Sequence, residues 1–228
     1  MRRILSALVA TAAAATCLTA TSTGTAVAAP HHRTPVVFVH GYLNTGVVWA
    51  PARAAFRQAG YNDSELFTYS YDFTASNRTS AQGLAAFVEK VKRATGSGTV
   101  DIVNHSMGGM VAMWYLKELG GASSVTRMAS LAGAHHGTLT AGLCTVLSAS
   151  CAEMTPGSPF LATLAAADET PAPVRYRTWY SPCDAVITPF TSSMLDGATN
   201  TLLPCMTHAG FLTNSALLSD VATFTKGS

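Results

Sequence analysis

Apolar residues recur along this chain in two rhythms. Pro35-Val36-Val37-Phe38-Val39-His40 is an almost unbroken apolar run, as expected of a strand covered on both faces. From Gly46 to Ala59 the spacing changes, and Val48, Ala52, Ala55 and Phe56 fall on one side of a helix that Gly60 is placed to cap. ELFTYSYD reads as the next strand, and Ser80 to Ala94 carries Leu84, Phe87, Val88 and Val91 at helical spacing. TVDIVN is a strand, and GGMVAMWYLKEL is a helix apolar on most sides, which predicts burial. SVTRMASLAG and VRYRTWYSP give two further strands, and NSALLSDVATF gives a closing helix. Repeated strand–helix units predict an α/β fold: a mainly parallel central sheet with helices on both faces. GAHHGTLTAGLCTVLSASCAEMTPGSPF lacks a regular pattern. It reads either as a short cap, with Leu143, Val146, Leu147 and Phe160 offering apolar contact, or as a disulfide-braced surface loop. Little chain remains for a large lid.

The first residues follow a different logic. Arg2 and Arg3 precede an alanine-rich apolar stretch from Ile4 to Leu18, and small residues then lead to Ala26-Val27-Ala28. That order predicts a secretory signal peptide over 1–28 and a single catalytic domain over 29–228, hence an extracellular protein. Of the 14 Lys and Arg, two leave with the leader, and the remainder balance the 12 Asp and Glu. Without a basic surplus, neither nucleic acid nor an anionic membrane is expected as partner. The apolar stretch is short for a spanning helix and is broken by threonines, so stable membrane insertion is not expected either. Only 11% of residues are charged against 48% hydrophobic, which suits an exported protein that meets apolar material.

Cys17 lies in the leader, leaving Cys144, Cys151, Cys183 and Cys205. An even count in an exported chain implies two disulfides, and the simplest of three pairings is sequential, Cys144–Cys151 and Cys183–Cys205. The paired spacing of a zinc site is absent, and His135 and His136 lack a spaced partner set, so no metal is expected.

Ser106 stands at the join between the strand TVDIVN and the buried helix, followed by Gly108 and Gly109. At such a join the helix N-terminus offers unpaired N–H groups, and the setting is that of a nucleophile elbow. The usual pentapeptide is G-x-S-x-G; here it is N-x-S-x-G, with Asn104 in place of the first glycine. A serine nucleophile needs a base, and the chain order in this architecture is Ser, acid, His. His208 alone follows a supply of later acids. Asp184, just past VRYRTWY, is the preferred acid, with Asp196 second among Glu153, Asp168, Glu169, Asp184 and Asp196. A Cys183–Cys205 bridge would clamp the acid loop to the base loop. The amides of Met107 and of Tyr42, in FVHGYLNTG, are the expected oxyanion donors, with Gly41 permitting the bend. His40 reads as a brace for that loop, and His105 as a packing or hydrogen-bonding residue.

The blocks VVFVHGY, VDIVNHSMGGM, YSPCDAVI and MTHAGFL resemble those of small bacterial lipases and esterases of the α/β-hydrolase fold. These include the Bacillus-type minimal lipases and, more closely, the exported actinobacterial lipases. The resemblance spans essentially the whole mature chain and implies Ser106 as nucleophile, Asp184 as acid, His208 as base, and Tyr42 and Met107 as oxyanion donors. It implies hydrolysis of carboxylic esters, often acylglycerols, without a cofactor, with a minimal lid or none. Asn104 departs from the family's A/G-H-S-M-G pattern. Action at an oil–water interface and a monomeric state are the expectations for partners. A polyester hydrolase, an acyltransferase on the same triad and a noncatalytic binding module are the rival readings.

Overall fold

The computed structural model describes residues 33–227, so the signal peptide expected over 1–28 lies outside the described residues. Six strands form one sheet: β1 (Val36–Val39), β2 (Leu66–Tyr69), β3 (Val100–His105), β4 (Val125–Leu131), β5 (Arg175–Tyr180) and β6 (Thr199–Leu202). Their order is β2-β1-β3-β4-β5-β6, and every pairing is parallel. β1 and β3 are buried at every residue, as their apolar runs require of central strands.

The helices are α1 (Ala50–Gln58), α2 (Asn77–Thr95), α3 (Gly108–Glu118), α4 (Ala149–Met154), α5 (Pro159–Ala165) and α6 (Ser215–Lys226). From β1 the chain steps outward to β2, then back across β1 to β3 and onward to β4. Right-handed crossovers in opposite directions put α1 on one face and α2 and α3 on the other. The packing agrees, α1 against α6 and α2 against α3. α3 is the central helix, and its residues from Gly108 to Leu116 are all buried.

Four elements differ from the sequence reading. The helix expected from Gly46 begins as a 3-10 turn over Gly46–Trp49 and becomes α-helical only at Ala50, with Pro51 in its first turn. β6 was not expected, because its Thr-Asn-Thr-Leu is polar and half exposed at the sheet edge. α4 and α5 lie within and beyond the stretch without a regular pattern. Each is held by a serine cap, Ser148 Oγ accepting from Cys151 N–H and Ser158 Oγ from Leu161 N–H, both at 3.2 Å. α4 also ties this segment to the body of the fold. Glu153 accepts from Asn77 N–H and from the Ser76 hydroxyl, both at 2.6 Å, and so caps α2 from a distance.

Candidate active site

The sheet reverses its winding between β1 and β3, and there the loops at the C-terminal strand ends diverge and leave a crevice. Ser106 follows β3 directly and adopts φ +58°, a left-handed conformation that costs a non-glycine residue about 1–2 kcal/mol. Three backbone hydrogen bonds hold it there. Its N–H donates to Leu131 O at 3.1 Å, and its carbonyl accepts from Gly109 N–H at 2.9 Å and Ala134 N–H at 3.0 Å. The flanking glycines are explained by close approach. A Cβ on Gly41 would stand 2.7 Å from Ser106 Cβ, and one on Gly108 would stand 2.5 Å from the carbonyl oxygens of Val39 and His40. The loop after β1 thus lies directly against Ser106.

Asn104 fits the elbow because space is made for it elsewhere. Its side chain is fully buried, and its Oδ1 accepts from the Ser130 hydroxyl at 2.7 Å. Glycine at 109 leaves room, since a Cβ there would lie 3.1 Å from that Oδ1 and 2.8 Å from the ring of His135.

The candidate acid and base, Asp184 and His208, lie on loops after β5 and β6. Asp184 Oδ1 accepts from Val186 N–H at 2.8 Å and Ile187 N–H at 3.0 Å, which fixes the carboxylate. Its Oδ2 accepts from His208 Nδ1 at 2.8 Å. Burial opposes ionisation of Asp184, yet the His208 bond and charge and the two amides outweigh it and hold the carboxyl below the usual range. His208 opens a 3-10 turn over His208–Leu212, three residues after Cys205. Disulfides join Cys183 to Cys205 and Cys144 to Cys151. Ser181 adds a stitch that sequence reasoning missed, its buried Oγ accepting from Cys183 N–H at 3.2 Å and Met206 N–H at 2.7 Å.

The other acids are engaged away from His208. Glu153 caps α2, Asp168 accepts from Thr170 N–H, and Glu169 accepts from His136 at 2.7 Å and from Asp196 N–H at 2.9 Å. Asp196 is exposed in that turn.

Ser106, His208 and Tyr42 border one cavity of about 370 Å³, whose remaining walls include Thr138, Ala141, Cys144, Met154 and Ile187. Among the described residues no hydrogen bond joins Ser106 Oγ to the His208 ring, and no backbone acceptor takes the N–H of Tyr42 or Met107. Thr138, also missed from sequence, ties the cavity wall to the acid loop. Its hydroxyl donates to Val186 O at 2.6 Å and accepts from Thr188 N–H at 2.9 Å. His40 stacks on Tyr71 with ring centres 4.2 Å apart. Tyr71 N–H donates to His40 Nε2, so the proton sits on Nδ1, which donates to Gly41 O at 2.9 Å. Burial lowers the pKa of His40, which serves as a neutral brace for the loop carrying Tyr42. No group of three or more His, Cys, Asp or Glu among the described residues is arranged to hold a metal. No described helix is long and apolar enough to cross a membrane.

The chain resembles known lipases and esterases in sequence family and in fold. Residues 33–222 match the family model described as Lipase (class 2). The mature lipase BlEst2 of Bacillus licheniformis superposes with a TM-score of 0.75 at 16% identity, over 85% of this chain and 92% of that one. Aspergillus fumigatus lipase B gives 0.69 at 18% identity, over 84% and 52%, and the metagenomic carboxyl esterase MGS0156 gives 0.68 at 17%, over 84% and 75%. At these identities the superpositions speak to the fold, a parallel α/β-hydrolase sheet. The family match extends over nearly all the described chain, and the protein belongs to the class 2 lipases, carboxylic ester hydrolases of the α/β-hydrolase fold.

Proposed function

We propose that the protein cleaves acylglycerols and related esters through Ser106, His208 and Asp184. The observation that carries this reading is the 2.8 Å contact from His208 Nδ1 to Asp184 Oδ2, beside a serine in a left-handed turn on the same cavity. With Nδ1 committed to the carboxylate, Nε2 is the nitrogen free to take the Ser106 proton as Oγ attacks the ester carbonyl. The amides of Met107 and Tyr42 receive the developing oxyanion, each worth about 3–4 kcal/mol in the transition state. His208 returns the proton to the leaving alcohol, and water then splits the acyl-enzyme by the same steps in reverse.

Apolar side chains around the cavity support a lipid substrate met at a surface. Leu43 and Val186 on its border, and Leu139, Leu143, Val146 and Leu147 in the adjoining loop, are all exposed, Leu143 to 86% and Val146 to 93%. The two disulfides and the leader-like residues 1–28 support export. The decisive experiment is Ser106→Ala. Turnover of p-nitrophenyl esters is expected to fall to background with the melting temperature retained, and undiminished turnover overturns the reading.

A further inference from the structure

His105 is the last residue of β3, immediately before Ser106, and it is buried to 1% exposure. Its Nε2 lies 3.1 Å from the main-chain carbonyl of His208. A carbonyl offers only lone pairs, so Nε2 must carry the proton and donate, which leaves Nδ1 bare. That Nδ1 is buried and has no partner among the described residues. The rings of His105 and His208 are in contact, with centres 4.5 Å apart and planes inclined at 42°.

We propose that His105 is a positioning residue that fixes the base loop to the nucleophile strand. This role rests on the triad reading above and is one of constraint. Asp184 holds only the ring of His208, and a ring held at one nitrogen still swings if its backbone moves. The bond from His105 removes that freedom by pinning the His208 carbonyl to the end of the strand that presents Ser106. Its ring face then limits rotation of the His208 side chain. One residue thereby sets the distance between a strand end and a loop 103 positions apart in sequence.

The position calls for a histidine that stays neutral. A charged ring here would repel the imidazolium that forms on His208. Burial, and secondarily the charge of His208, lowers the pKa of His105 to about 3. With one proton committed to a carbonyl and the ring locked at neutrality, His105 cannot serve as a second base. Phenylalanine would supply the flat face without the donor, and glutamine the donor without the ring.

Those two substitutions test the idea. His105→Phe is expected to lower kcat by about 10–100-fold with KM within about twofold, as small misplacements of a catalytic group do. His105→Gln is expected to recover most of that loss. A readout independent of turnover is the far-downfield proton resonance of the Asp184–His208 hydrogen bond, expected to broaden in His105→Phe and persist in His105→Gln. Should the Phe variant not fold, His105→Met, which also lacks the donor, takes its place. Wild-type kcat and an unchanged resonance in a folded donor-less variant overturn the proposal. If Ser106→Ala retained activity, the triad reading would fail, while the resonance would still report whether His105 holds His208.

Discussion

Asn104 and Ser130 are register partners across the β3–β4 pair, and the Ser130 hydroxyl donates to Asn104 Oδ1 at 2.7 Å. On its other side Ser130 Oγ meets His135 Nε2 at 2.8 Å, so three buried polar side chains form one chain behind the elbow. With its hydroxyl proton given to Asn104, Ser130 accepts from His135, which burial and the charge of His136 hold neutral, its pKa lowered to about 3. The residue that departs from the family's small-residue pattern is therefore tied into the core through its Oδ1, while its buried Nδ2 has no partner among the described residues.

Restoring the common pattern tests this. Asn104→Gly strips a partner from Ser130 and opens a void beside Gly109, while the backbone bonds that hold Ser106 remain. Losing the bond is expected to cost about 1–3 kcal/mol of stability, and a chain of this size then melts roughly 2–4 °C lower per kcal/mol. Thermal unfolding and ester kinetics on one preparation check this, with kcat expected to change far less than stability. A large loss of kcat at unchanged stability would mean that Asn104 acts on the chemistry itself.

Gly41 makes the opposite prediction. A methyl group there meets Ser106 Cβ at 2.7 Å and Oγ at 3.2 Å, so the loop carrying Tyr42 or the serine must shift. Gly41→Ala is expected to lower kcat by about 10²-fold, the effect of a displacement near 1 Å. It should also slow labelling by an organophosphonate, with little change in melting temperature. Labelling at the wild-type rate would show that the two loops are not in register during reaction.

Asp184, the proposed acid, sets a pH dependence. Asp184 has a lowered pKa in the folded protein, so its contribution to stability is full above the ordinary carboxylate value near 4 and is lost as pH falls through the lower folded value. Urea unfolding at stepped pH is expected to show stability falling below about pH 4. Asp184→Asn should flatten part of that fall. The same substitution leaves His208 without its carboxylate and is expected to lower kcat by a factor on the order of 10³–10⁴. If the acid slope of the variant equals that of the wild type, Asp184 is not ionised and paired as described.

Strands β1 to β5 were legible in the sequence because burial on both faces demands apolar runs, and α2 and α6 because their helical spacing survives intact. β6 was not, since a polar edge strand is specified by its pairing with β5 and leaves little pattern of its own. α4 and α5 are too short for periodicity to speak, and their serine caps carry the signal instead. At the site, chain topology was enough to place Ser106, Asp184 and His208 after strands at one end of the sheet, where Asp184 meets His208, and their catalytic roles are the proposal above. Ser181 and the Asn104–Ser130–His135 chain could not, because each depends on side chains meeting across strands or loops distant in sequence. A serine or threonine beside a disulfide-bonded loop, such as Ser181 next to Cys183, is the one clue that closer reading would have caught.

The two disulfides close loops of different reach and border different parts of the site. Cys183–Cys205 spans 22 residues and flanks both Asp184 and His208, whereas Cys144–Cys151 spans 7 and places Cys144 in the cavity wall. Each bridge is worth about 2–4 kcal/mol, the longer loop more. Replacing Cys183 and Cys205 by serine is thus expected to lower both stability and kcat, because the acid and base loops part. Replacing Cys144 and Cys151 should spare the chemistry and loosen the segment that leads from the cavity wall at Cys144 to Ser148, whose hydroxyl reaches Tyr42 Oη at 3.4 Å. Its signature is a raised KM for long-chain esters with kcat on short-chain esters retained. Kinetics over esters of graded chain length separate the two cases, and equal profiles for both variants would show that the bridges serve stability alone.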